Sequence, residues 1–236
     1  MEEINSYWSI IPNNQLIEIA AIAGFKSVIL DMEHGSYDWS SLVNAVAIGK
    51  SKGMQVLIRP ASKDPREILS CLETGADGLM IPHISTIEEV LAIKNASFYP
   101  PLGKRGASGF TRATGYGQEE FGKHMKNTNT KLFLGLLIES VEGLTNLNDI
   151  AYLGDISCLY FGTYDIALSM GISDQRDPKI KEAVTMAINQ IEGKVPYIGQ
   201  VAVNKEQREE LDTRINFIAN GVDCGIILDS FKSRIL

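Results

Sequence analysis

The chain has 236 residues, 44% of them hydrophobic, with 22 basic and 29 acidic side chains and a formal net charge of −7. That is enough apolar length for a sizeable core, and the absence of a basic block argues against a nucleic-acid surface. No stretch reaches the roughly 18 apolar residues of a membrane span, MEEINSYWSIIPNNQ is no signal peptide, and Cys71, Cys158 and Cys224 form no CxxC pair, so the expectation is a cytoplasmic protein with buried, reduced thiols.

Short apolar runs, each of strand type, fall at residues 7–11, 27–30, 55–58, 78–81, 132–138, 158–161, 197–201 and 216–219. Helix-period segments lie between most of them. NNQLIEIAAIAG closes on Gly24 and DWSSLVNAVAIGKSKG on Gly53. DPREILSCLETG opens with Asp64 as N-cap and Pro65 at the first helical position, and DPKIKEAVTMAINQIEG repeats that opening with Asp177 and Pro178. Residues 98–130, with YPPLGKRGASGFTRATGYG, are loop-like. Strands alternating with helices imply a parallel sheet, and eight such units in a chain of this size predict a single (β/α)8 TIM barrel over 1–236. The alternative, an open doubly wound sheet, lacks its GxGxxG or GxxxxGK[ST] fingerprint.

In such a barrel the chemistry sits just past the strands. There the chain places Asp31, Glu33 and His34; Arg59; Pro82 and His83; Glu139 and Ser140; then Thr163, Tyr164 and Asp165. Glu139 and Asp165 follow two strongly apolar neighbouring strands. Two hard carboxylates with no adjacent His or Cys suit Mg²⁺ or Mn²⁺. Glu139 could instead pair with an arginine or cap the helix SVEGLTNL. His34 is a candidate general base, an imidazole being the side chain suited to proton transfer near neutral pH, with Asp31 to orient it, or a plain loop histidine. Arg59, costly at a core strand end, either meets a substrate oxyanion or pairs with Glu33 or Asp31. His83 is a rim hydrogen-bonder of open role, and His124 is expected at the surface. The GKRGASG loop can offer N–H groups to an anion or simply turn. Tyr37, Trp39 and Phe98 are expected to pack helices.

These segments resemble the HpcH/HpaI family of metal-dependent pyruvate aldolases. The likeness is carried in order by AGFKSVILDMEHGSYDW, VLIRPASKDPREILSCLETGADGLMIPHI, YPPLGKRGASG, LLIESVEGLTNLNDI, YFGTYDIALSMGI and FIANGVD. The resemblance implies reversible cleavage of a 4-hydroxy-2-oxo acid to pyruvate and an aldehyde. It implies Glu139 and Asp165 as ligands of Mg²⁺ or Mn²⁺, with Co²⁺ a further candidate. It makes His34 the acid/base acting through water with Asp31 near it, and Arg59 the group that steadies the enolate. Arg105 and Gly106 would border the substrate, as would Gly162, Thr163, Tyr164 and His83. A homo-oligomer, a hexamer in the family pattern, is also implied. The chain departs from the pattern at Leu137, where Gln is usual; at Thr163 and Tyr164, for Pro-Ala; and at His83, where an apolar residue is common. Rival readings are a CoA-thioester lyase or decarboxylase of the same kind, and an inactive barrel serving as a binding subunit. No lysine lies within or at the exit of an apolar run, which disfavours Schiff-base chemistry.

Overall fold

Each strand pairs in parallel with the next in sequence, and the last closes onto the first. The computed structural model describes residues 2–235. Its strands are β1 (Ile4–Ser9), β2 (Ser27–Asp31), β3 (Gln55–Arg59), β4 (Gly78–Ile81), β5 (Phe133–Ile138), β6 (Cys158–Phe161), β7 (Tyr197–Val201) and β8 (Phe217–Val222). The helices are α1 (Asn14–Ala23), α2 (Trp39–Ser51), α3 (Pro65–Glu73), α4 (Ile87–Ser97), α5 (Phe121–Lys131), α6 (Val141–Ala151), α7 (Thr163–Ser169), α8 (Pro178–Ile191), α9 (Lys205–Glu209) and α10 (Asp223–Lys232). The predicted (β/α)8 barrel is the observed fold. Among the described residues no helix is long and apolar enough to cross a membrane.

The helix starts follow the residues that signalled them. Asp64 accepts the N–H of Arg66 ahead of Pro65, and Asp177 accepts that of Lys179 ahead of Pro178. Two expectations shift. The first strand runs from Ile4 to Ser9, about three residues earlier than residues 7–11. Within residues 98–130, α5 forms under a Glu120 cap that accepts the N–H groups of Gly122 and Lys123. Docking of α5 buries His124 against Tyr99 and Phe121, contrary to its polar sequence context. Cys224 is exposed on α10, whereas Cys71 and Cys158 are buried free thiols.

Alternation along the strands makes two cores. One side of each strand joins the helices, with Val28, Leu30, Val56, Ile58, Leu79, Ile81, Leu134 and Leu136 in one apolar layer. The other side fills the barrel with Trp8, Ile29, Leu57, Met80, Phe133, Leu137, Tyr160 and Phe217. The interior is crowded enough that β7 needs a glycine: a Cβ on Gly199 would collide with the Tyr160 ring and lie 3.1 Å from Cys158 Sγ. Above this plug, at the C-terminal ends of the strands, the filling becomes charged.

Candidate active site

Asp31 ends β2 and Arg59 ends β3, and the strand register sets them opposite one another. Arg59 Nε donates to Asp31 Oδ1 at 2.9 Å while Nη2 pairs with Oδ2. Arg59 Nη1 lies 3.0 Å from Glu33 Oε2. The guanidinium carbon sits 4.5 Å from the centre of the Trp8 ring. Burial opposes the Arg59 charge, but the hydrogen bonds and charge of Asp31, then Glu33 and Glu139, outweigh it. The net result is a pKa above the ordinary arginine value. This fork is fixed on three sides and still faces the rim.

The expected pairing of Asp31 with the His34 ring is not formed. Asp31 Oδ1 accepts the backbone N–H groups of Glu33 at 3.0 Å and His34 at 3.2 Å, so it shapes the turn instead. Its remaining capacity is taken by Arg59, the stronger partner. The carboxylate beside the His34 ring is that of Glu33, at 4.0 Å, and the His34 side chain is 69% exposed. His34 thus stands past the end of β2 with its ring open to solvent.

His83, expected as a rim hydrogen-bonder, is one. It follows β4 in a left-handed conformation with φ 54°, which costs a non-glycine residue energy and recurs at functional sites. Four contacts hold it there. Its N–H donates to Glu139 Oε2 at 2.7 Å. Its ring spans two carboxylates, with Nδ1 3.1 Å from Glu139 Oε2 and Nε2 2.9 Å from Glu33 Oε1. Lys63 Nζ donates to its carbonyl at 2.9 Å.

Glu139 follows β5 and is 5% exposed. It does not cap α6, because Ser140 does so by accepting the N–H of Gly143. Burial pushes the Glu139 carboxyl above its ordinary pKa and the Asp165 charge adds to the rise. The N–H and ring of His83, then Arg59, act against it. Gly162 makes room for this carboxylate: a Cβ there would lie 2.7 Å from Glu139 Cγ and 2.9 Å from Oε1. Asp165 lies in the first turn of α7, within electrostatic reach of Glu139.

These features fit a divalent cation. A buried carboxylate made costly by burial and by a second carboxylate is what a cation would relieve. The donors are hard oxygens, as Mg²⁺ and Mn²⁺ prefer. Among the described residues no group of three or more His, Cys, Asp or Glu is placed to hold a metal ion. A cation here would draw its other ligands from substrate and water, the usual habit of Mg²⁺.

The remaining sequence candidates divide. Thr163 and Tyr164, the first residues of α7, line a cleft of about 870 Å³ that runs between α8 and α9. None of Asp31, Glu33, His34, Arg59, His83, Glu139 and Asp165 lines that cleft. Arg105 and Gly106 do not join the cluster within this chain. Lys104 and Arg105 donate their N–H groups to the carbonyls of Asn95 and Phe98, at the far end of α4. That end neighbours the start of β6, since Lys94 Nζ reaches the carbonyl of Leu153. The loop therefore folds against the N-terminal side of the barrel. Arg105 is buried there, 4.7 Å over the Tyr99 ring, and burial holds its pKa below the ordinary value.

Several residues around the site carried no sequence signal. Trp8 and Tyr160 line the floor, joined by a 3.1 Å bond from Trp8 Nε1 to the Tyr160 hydroxyl. Asp223 Oδ2 accepts the hydroxyl of Ser9 and the N–H groups of Ile10 and Ile11, each at 3.0 Å, and locks β1 to β8. Tyr37, expected only to pack helices, shares the Ser9 hydroxyl at 2.8 Å, and its own hydroxyl is pushed up to about 12, chiefly by burial.

Fold and rim together define a TIM-barrel enzyme whose polar side chains converge at the C-terminal mouth. The chain belongs to the HpcH/HpaI aldolase/citrate lyase family, whose model matches residues 6–230. A 2-keto-3-deoxy-L-rhamnonate aldolase of Klebsiella pneumoniae is 28% identical over 231 residues, covering 97% of this chain and 86% of that protein. A family protein of known structure from Burkholderia cenocepacia superposes with a TM-score of 0.93 at 22% identity, covering 99% of this chain and 93% of that one. The citrate lyase β subunit of M. tuberculosis, solved with oxaloacetate and magnesium, shares the fold more loosely, with a TM-score of 0.58 at 13% identity over 96% of this chain and 95% of that one. The aldolases of this family are carbon–carbon lyases.

Proposed function

We propose that the protein is a divalent-metal-dependent aldolase that reversibly cleaves a 4-hydroxy-2-oxo acid to pyruvate and an aldehyde. The observation that carries this reading is the buried Glu139 carboxylate, disfavoured as an anion, with Asp165 and the Arg59 fork beside it. The relative named as a 2-keto-3-deoxy-L-rhamnonate aldolase supports the substrate class, since its substrate is a 2-oxo-3-deoxy acid.

Glu139 and Asp165 hold Mg²⁺ or Mn²⁺ in this reading, and the bound cation supplies Lewis-acid polarisation of the 2-oxo group. The protein's own groups do the rest. His34, acting through a water, takes the proton of the C4 hydroxyl as the C3–C4 bond breaks. The electron pair of that bond moves into the C2 carbonyl, which becomes the enolate of pyruvate, and the aldehyde departs. Arg59 presents N–H donors to the developing oxyanion, and Asp31, Glu33 and Trp8 hold the fork still so that it need not reorganise. A proton returned to C3 completes pyruvate. Thr163 and Tyr164 border the acceptor side, where the cleft beyond them admits a longer aldehyde. The same proposal places the enzyme in the cytoplasm as a homo-oligomer, for which the exposed Leu228, Phe231 and Ile235 near the C-terminus offer apolar surface.

Incubation with a panel of 4-hydroxy-2-oxo acids, with pyruvate followed by lactate dehydrogenase coupling, tests the reading. Pyruvate release is expected with Mg²⁺ or Mn²⁺, to fall at least about a hundredfold in chelator, and to return on adding the ion. Turnover unaffected by chelator, or no pyruvate from any acid, would sink it.

A further inference from the structure

The Arg59 fork rests on an indole face, and that indole is itself held from below. Trp8 Nε1 donates to the Tyr160 hydroxyl at 3.1 Å, and the two rings meet edge to face with centroids 5.8 Å apart at 82°. Tyr160 is 3% exposed and packs edge-on against Phe217 at 6.3 Å. Gly199 on β7 leaves the space its ring occupies. A chain of contacts thus crosses the barrel from β7 through Tyr160 on β6 and Trp8 on β1 to Arg59 on β3.

Asp31 and Glu33 fix the guanidinium by its edge. Neither sets how far it tilts out of its plane; the indole face does. An indole offers two flat orientations of similar shape, and the single N–H is what distinguishes them. Inside an apolar barrel that N–H has to find an acceptor, and the Tyr160 hydroxyl is the acceptor present. Phenylalanine would fill the same volume but leave the indole N–H unpaired.

We propose that Tyr160 is a positioning residue for the lyase reaction: its hydroxyl locks the Trp8 indole as the floor that aims the Arg59 fork at the substrate oxyanion. This rests on the reading of Arg59 given above.

The test uses the full chain carrying Tyr160→Phe. The kcat for pyruvate release is expected to fall about tenfold, since small misplacements of a transition-state donor are costly. KM should stay within about twofold, because the lost interaction belongs to the transition state. Tryptophan emission, read in a Trp39→Phe background because Trp39 is the chain's other indole and is exposed, should shift with loss of the Nε1 bond. Trp8→Phe, which removes that N–H together with the indole floor, should lose at least as much kcat, and adding Tyr160→Phe to it should cost less than about twofold more. In an Arg59→Lys background, Tyr160→Phe should cost less than about twofold.

Wild-type kcat in a folded Tyr160→Phe enzyme, or in Trp8→Phe should the former not fold, overturns the proposal. So does a tenfold loss that recurs in full on Arg59→Lys. Wild-type kcat in Arg59→Lys alone overturns the reading of Arg59 itself, a different result from the other two.

Discussion

Glu139→Gln is expected to abolish lyase turnover and, in metal-free protein, to raise the thermal midpoint. Glutamine keeps the shape and an oxygen for the His83 N–H but removes the charge. Turnover should drop at least about a thousandfold, the scale of losing a main electrostatic element of the transition state. The stability gain follows from the raised carboxyl pKa of Glu139, caused first by burial and then by the Asp165 charge. A carboxyl whose folded pKa lies above its unfolded value costs nothing in acid, where both states hold the proton. The cost appears as pH rises past the unfolded value, near 4.3, and is complete above the folded one. At neutral pH the wild type bears that cost and the variant does not. A higher midpoint is therefore expected for the variant at neutral pH. The difference should vanish toward pH 3, below the unfolded value near 4.3. Mn²⁺ should then stabilise the wild type and leave Glu139→Gln unmoved, because only a site that binds shifts the folding equilibrium. Melting curves across pH, with and without the ion, check both halves. A lower midpoint for Glu139→Gln at neutral pH would show that its carboxylate is a structural ion-pair partner.

Arg59→Ala should damage activity and fold together. Arg59 and Asp31 are each at most 9% exposed and share a two-point pair. Removing the cation leaves Asp31 buried without its partner, a loss of about 3 to 5 kcal/mol. Activity per folded chain should fall about a thousandfold through the lost oxyanion donor. Arg59→Lys separates the two effects. It keeps a charge for Asp31 but gives up the planar fork that also meets Glu33 and lies on Trp8. Stability should recover in large part while kcat stays about a hundredfold down, with KM little changed. Urea unfolding paired with steady-state kinetics on both variants measures this. A lysine enzyme with full activity would mean that Arg59 serves only to neutralise Asp31.

The barrel was legible because it is written in short-range pattern. Apolar runs, Asp-Pro helix starts at Asp64 and Asp177, and polar residues after each run are local features that chain order carries directly. The rim was legible for the same reason, since the end of a strand is a position along the chain. Pairing across strands was not. Asp31 meets Arg59 rather than the His34 ring because strand register places it there, and register belongs to the closed sheet. His83 was left open since nothing in IPHI announces a left-handed backbone or a ring caught between Glu33 and Glu139. Trp8 carries no signal because both faces of a barrel strand are buried, so alternation alone does not say whether Trp8 or its neighbour Tyr7 points inward. Arg105 and Gly106 show the converse. A glycine-rich loop reads alike whichever end of the barrel it covers, and the carbonyls of Asn95 and Phe98 draw this one to the far side.

Calorimetric titration of Mn²⁺ into chelator-treated protein, with pyruvate present, reads most directly whether Glu139 and Asp165 grip a cation together. One ion per chain is expected for the wild type, with binding lost in Glu139→Gln and, separately, in Asp165→Asn. Equal affinity in the wild type and both variants would contradict it.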